Sequence, residues 1–165
     1  VIKTAYLSDD RVYRYVLWRI WDDAKPMINF IGLNPSTANE TVDDPTTRRC
    51  IGYAKDWGGG SLTMTNLFAF RGKNPKDMKA AKDPVGILND VVLLGQAMRS
   101  SISIAAWGSD GNYLDRDKEV LKLLNNIHRP LKCLALTKNG MPRHPLYLKK
   151  DLKPFVYINT AKGEG

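Results

Sequence analysis

The chain reads as an α/β protein: a three-layer αβα domain around a central, mainly parallel four-stranded sheet, with an N-terminal β-hairpin attached. Three observations predict this. Four short apolar runs recur along the chain, at residues 27–33, 61–70, 101–108 and 131–136, each the length of a buried strand. Segments with helical spacing and cap signals separate them, and strand–helix alternation of this kind builds a parallel sheet with helices on both faces. The 165 residues, 43% hydrophobic and 25% charged, suit one domain with a substantial core. We therefore expect a single domain over residues 1–165, with residues 1–26 as the hairpin extension.

The elements follow in order. Residues 3–7 and 12–21, separated by "SDDR", read as the hairpin. In its second run Tyr13, Tyr15 and Leu17 alternate with Arg14, Val16 and Trp18. Pro26 ends it, and "MINFIGL" follows as a strand buried on both faces. Asp44-Pro45 is an N-cap followed by proline at the first helical position, and the helix runs until Gly58-Gly59-Gly60 stops it. "SLTMTNLFAF" is a strand. Asn74-Pro75 and Asp83-Pro84 repeat the cap-plus-proline signature, and the second predicts a helix over 84–99 with Ile87, Val91, Leu94 and Met98 on its apolar side. "SISIAAWG" is a strand, 112–125 a helix carrying Leu114, Leu121 and Leu124, and "LKCLAL" a strand. Residues 145–150 read as a short helix opened by Pro145.

Composition narrows the function. Twenty-five Lys and Arg against 17 Asp and Glu give a net charge of +8, which favours polyanionic partners, nucleic acid first. Cys50 and Cys133 are too few and too far apart for a disulfide framework or a zinc site, and both are expected as buried, reduced thiols in a cytoplasmic setting. No segment has the apolar core of a signal peptide or the length of a membrane span. Phosphate-loop and dinucleotide fingerprints are absent, and no metal or cofactor is expected.

In parallel α/β sheets ligands sit outside the carboxyl ends of the strands, which selects the loops after Leu33, Asn66, Trp107 and Leu136. Pro35 stiffens the first loop and restricts Asn34 to extended geometry, so its amide projects from the strand end, able to hold a water or a ring edge. A turn asparagine bonding its own backbone is the alternative. Asn66 is a strand asparagine among apolar neighbours; buried, it needs a partner, either a ligand or a neighbouring loop. His144 precedes Pro145, and at a helix N-terminus the dipole would keep its imidazole neutral, as a hydrogen-bond donor. Arg143 beside it suits phosphate. His128 reads as a solvated surface residue.

Taken together, "FIGLNPS", "LTMTNLFAFRGKNP" and "RHPLYLKK" resemble the strand-end motifs of the uracil-DNA glycosylase superfamily, over roughly residues 27–150. The branch looks like a small bacterial and phage family of unknown function with NPSTA, DDPT and HPLYL signatures. The resemblance implies a uracil-DNA glycosylase-like fold and a DNA glycosylase that hydrolyses the N-glycosidic bond of a flipped base. Asn34 falls where that superfamily holds its hydrolytic water, Asn66 where it reads the base edge, and His144 where it stabilises the departing base. Thr46 replaces an aromatic that stacks on the base, leaving Phe68 or Tyr53 to stack instead. Asp43 is the candidate for a second water-holding group, while Asp44 caps the helix. Ser36, Thr37, Arg48, Arg71, Arg143 and Lys149 are the candidates for the DNA backbone. These departures point away from plain uracil, toward a modified or mismatched base. DNA is the expected partner and a monomer the expected state; a protein on the same scaffold that binds DNA without catalysis and a hydrolase of free nucleotides or nucleosides are the competing readings.

Overall fold

A computed structural model describes residues 1–158, so the last seven residues of the expected 1–165 domain lie outside the described residues. Two strands open the chain, β1 (Ile2–Leu7) and β2 (Arg14–Ile20), followed by β3 (Met27–Gly32). Next come α1 (Pro45–Asp56), β4 (Ser61–Asn66), the short α2 (Pro75–Lys79) and α3 (Asn89–Arg99). β5 (Ile102–Ala105), a 3-10 turn (Ser109–Asp115), α4 (Arg116–Asn126), β6 (Leu131–Cys133) and β7 (Phe155–Val156) follow within the described residues.

The protein is α/β, but its sheet corrects the expected four-stranded, mainly parallel one. Seven strands form a mixed sheet in the order β1-β2-β4-β3-β5-β6-β7. Three of the six pairings are parallel (β4 with β3, β3 with β5, β5 with β6) and three antiparallel (β1 with β2, β2 with β4, β6 with β7). The difference arises at the two ends. β2 pairs with β4 from Leu17↔Met64 to Ile20↔Ser61, so the N-terminal hairpin becomes part of the sheet. β4 would otherwise leave its outer N–H and C=O groups unpaired. Val16 and Leu17 are fully buried, as strands inside a sheet require. β7 closes the other end on β6.

Helices cover both faces. Ile31 packs with Leu93, Ala97, Val120 and Leu124 from α3 and α4. Its neighbour Phe30 points the other way, onto Cys50, Tyr53 and Ala54 of α1. There Phe30, Tyr53 and Trp57 stack with ring centroids 5.4–6.5 Å apart. Both cysteines are buried and unbridged.

Local cap chemistry explains α1. Asp44 is extended and accepts from Thr47 N at 2.8 Å, with Pro45 next. Three helical expectations need correction. The helix expected over 84–99 starts only at Asn89, because Gly86 sits at φ +90° and breaks it. It faces the core with Leu93 and Ala97, leaving Ile87, Val91 and Met98 exposed. The helix expected over 112–125 is a 3-10 turn broken at Leu114 and Asp115, both left-handed, and then α4. Residues 145–150 form turns rather than a helix: Tyr147 is left-handed, and the His144 ring takes the Leu146 N–H.

The loop between β3 and α1 is held from β2. Arg19, 1% exposed, donates from Nε to Asp43 Oδ1 at 2.7 Å and from Nη2 to the carbonyls of Asn39 and Val42. Lys3 adds a second contact to Asp43 at 3.2 Å. D43N keeps the shape and removes the counter-charge. We expect urea unfolding to show a loss of about 1.5–3 kcal/mol, the range for hydrogen bonds to charged groups. A change under about 0.5 kcal/mol, the scatter of featureless surface substitutions, would mean the carbonyls alone suffice.

Candidate functional site

A cavity of about 390 Å3 opens at the ends of β3, β4 and β5, where the 34–36, 72–75, 108–110 and 144–145 loops meet. Asn34, Asn66 and His144 all line it, as do Ser36 and Thr46. Its size falls within the roughly 300–1,000 Å3 of small-molecule sites.

Asn34 is fixed by its own loop. Its Nδ2 donates to Gly72 O at 3.1 Å and to Pro35 O at 3.3 Å, and Gly72 N returns a bond to Pro35 O. Both amide hydrogens are thereby committed, and Oδ1 is left as the acceptor of this side chain. An acceptor oxygen suits the placement of a water.

Asn66 ends β4 opposite Gly32 in parallel register. A Cβ on Gly32 would come within 2.8 Å of Asn66 Oδ1, so glycine there makes room for the carboxamide. From below, Asn89 Nδ2 donates to the carbonyls of Asn66 and Leu67, and Arg116 Nε donates to Leu67 O at 2.7 Å. The strand end is held, and Asn66 Nδ2 is buried without a partner. An unpaired buried donor beside a cavity is the feature a bound acceptor would complete.

His144 stands at the mouth, exposed along one side. Leu146 N donates to its Nδ1 at 3.2 Å, which puts the proton of the neutral ring on Nε2. Packed protein beneath the ring lowers its pKa below the ordinary 6.5, and the charge of Asp44 works against that shift. The ring is therefore a neutral donor at pH 7.

Several expected site residues lie elsewhere. Asp43 points away from the cavity into its ion pairs with Arg19 and Lys3, and these hold its carboxyl below the usual range in spite of burial. It is not available as a water-holding group. Phe68 is buried in the core against Tyr113 and cannot stack on a ligand here. Tyr53 stacks on Trp57 and donates to Lys149 O, and Thr37 is exposed outside the cavity. Arg71 donates to Arg11 O, and Arg143 and Lys149 are exposed. Arg48 lies in a neighbouring groove of about 570 Å3, with Arg49, Lys150, Tyr53 and Tyr147. That groove adjoins the cavity through Pro45 and Leu146, whose chain neighbours Thr46 and Pro145 line the cavity.

Three lining residues escape sequence reasoning. Trp107 is buried with its Nε1 unpaired. Asp44 caps α1 and also faces the cavity. Arg14 reaches the cavity because the β1–β2 register slips. Tyr6 pairs with Val16 and Leu7 with Arg14, so Tyr15 has no residue opposite. The extra residue shifts the side-chain phase, and Arg14 meets the same loop as Arg19, donating to Ala38 O at 3.1 Å. Among the described residues, no group of three His, Cys, Asp or Glu could hold a metal ion, and no helix is long and apolar enough to cross a membrane.

A family model described as a protein of unknown function, DUF1643, matches residues 14–146. No curated protein and no solved structure matches the chain.

Two outcomes test the geometry. G32A should displace the Asn66 carboxamide, seen as shifted side-chain amide resonances, while the melting temperature falls by only about 2–4 °C, because the clash is with a side-chain end. Unshifted resonances would show that Gly32 does not set the pose. For His144, the folded state binds fewer protons than the unfolded one. Its contribution to stability is full above pH 6.5 and is lost as pH falls from 6.5 through the lowered pKa. NMR titration should place the ring's midpoint below 6.5, with the Leu146 amide shifting in step. A midpoint above 6.5 contradicts the neutral-donor assignment.

Proposed function

The chain belongs to the DUF1643 family, whose function is unknown, and from its cavity we propose that it is a DNA glycosylase acting on a flipped, modified or mismatched base. One observation carries this reading: Asn34 and His144, from two loops, and Asn66, from the end of β4, line one cavity.

The chemistry follows from their states. When the C1′–N bond breaks, its electron pair leaves with the base and the sugar becomes cationic. His144 Nε2–H and Asn66 Nδ2 are donors for the oxygens of the departing base. Asn34 Oδ1 can hold the water that captures the sugar, and the water's proton passes to solvent. The Asp44 carboxylate adds negative charge where the sugar becomes cationic. A base must leave its stack to enter such a site. The adjoining groove, with Arg48, Arg49 and Lys150, supplies charge for a phosphate backbone, in keeping with the net +8. The likeness of the three strand-end motifs to the uracil-DNA glycosylase superfamily supports the same reaction. DNA is thus the proposed partner and a monomer the proposed state.

A hydrolase of free nucleotides is the second reading. The buried cation of Arg14 favours it, because a mononucleotide brings its phosphate into the site.

The test is incubation with oligonucleotides carrying uracil, mismatches and modified pyrimidines, followed by alkaline cleavage at abasic sites. We expect cleavage of at least one base, reduced about 10²–10³-fold in H144A, the usual effect of removing one charge-stabilising donor. Folded protein that binds the DNA and releases no base across the panel would overturn catalysis and leave a binding protein.

A further inference from the structure

Arg14 and Arg19 lie on the same strand, both nearly inaccessible, at 2% and 1% exposure. Their hydrogen bonding differs. Arg19 is completed by protein: Nε meets Asp43, Nη1 the carbonyls of Thr4 and Trp18, and Nη2 those of Asn39 and Val42. Arg14 donates from Nη1 to Ala38 O, and its Nε is buried with no partner. Among the described residues no carboxylate lies within ion-pair distance of it. Asp44 is the acid that most favours its charge, while Arg71 and Arg19 oppose it. Asp44 is itself engaged, taking Thr47 N and Ala38 N. Asp110, the other acid on the cavity wall, pairs with Lys79 at 2.8 Å.

Burial lowers the Arg14 pKa to about 10, which still leaves the guanidinium charged at pH 7. Clamping Ala38 uses one edge of the fork and leaves the Nε edge free. The same cavity wall carries two more unpaired donors, Asn66 Nδ2 and Trp107 Nε1, each at least nine-tenths buried. Both carboxylates on the wall are engaged by protein, whereas three of its buried donors are unpaired, one of them on a full cation, and such a set matches a ligand that brings acceptors. A neutral carbonyl would satisfy the direction of the bond and leave the buried charge uncompensated. A carboxylate or phosphate would answer both, accepting from the guanidinium edge as a pair.

We propose that the cavity takes a ligand with a full negative charge, bound by Arg14: either an acidic substituent on the base or the phosphate of a free nucleotide. This rests on reading the cavity as a base pocket, but its test involves no cleavage, so a failed glycosylase assay leaves it standing. Arg14 is a binding residue here, and the selection it exerts is between charged and uncharged ligands of the same ring.

The experiment is calorimetric titration at fixed ionic strength of 5-carboxyuracil, uracil, deoxyuridine and deoxyuridine 5′-monophosphate into the wild-type protein, R14M and R14K. In the wild type, at least one anionic ligand should bind about tenfold or more tightly than its neutral counterpart, the factor expected of one charged hydrogen bond. R14M should abolish that ratio. R14K, which keeps the charge without the fork, should reduce it. Dependence on Arg14 for 5-carboxyuracil assigns the anion to the base, and for the monophosphate to the nucleotide. The proposal is overturned if charged and neutral ligands bind equally, if no ligand of the set binds, or if the ratio survives in folded R14M. Should R14M fail to fold, an undiminished ratio in R14K overturns it equally.

Discussion

The guanidinium of Arg19 is the joint between the sheet and the cavity. It is sealed under the β3–α1 loop, and its five hydrogen bonds reach Thr4, Trp18, Asn39, Val42 and Asp43. A loop of this kind lacks a ladder of its own, so its backbone groups need partners from outside. Arg19 supplies them from β2, and Asn39 adds a local turn by accepting from Thr41 and Val42. With residues 39–43 fixed, Asp44 is positioned to cap α1 and to accept from Ala38 N. Ser36, Asp44 and Thr46 then take their places on the cavity wall. The site thus depends on a strand pair that, by sequence, reads as an attachment.

Two adjacent acids show how finely that loop divides its labour. Asp43 faces the sheet and neutralises Arg19; Asp44 faces the helix start and the cavity. The same division appears on β2, where Arg19 is satisfied by protein and Arg14 is not. Charge is therefore spent on folding at one end of the strand and held open at the other. The one-residue slip opposite Tyr15 is what puts both arginines on the same loop.

The sequence was most informative where chemistry is local. Asp44-Pro45 and Asn74-Pro75 announce helix starts because a side-chain cap and a proline act within one turn. Buried β3 could be recognised from "MINFIGL" alone. Asn34, Asn66 and His144 could be singled out because polar residues at strand ends are hard to explain otherwise. Pairing across the sheet is not local, so nothing in "RYVLWRI" revealed that it would lie beside β4. The phase of α3 is ambiguous in sequence because its exposed side is as apolar as its buried one: Val91 and Met98 look no different from Leu93 and Ala97 in a periodic reading. Pro145 reads as a helix start, but the His144 ring accepts the Leu146 N–H and Tyr147 turns left-handed. Arg14 stayed hidden because a register slip leaves no mark in a single strand's alternation.

Trp107 gives the cavity an optical side. The chain has four tryptophans. Trp18, Trp21 and Trp57 donate their indole N–H groups to Gln96 Oε1, Gly59 O and Leu152 O. Trp107 has no such partner, and it alone of the four lines the cavity. An indole's emission responds to the polarity and hydrogen bonding around it, and three of the four emitters are already saturated by the fold. Filling the cavity therefore changes the surroundings of one chromophore against a constant background, so the protein carries its own fluorescent gauge of occupancy.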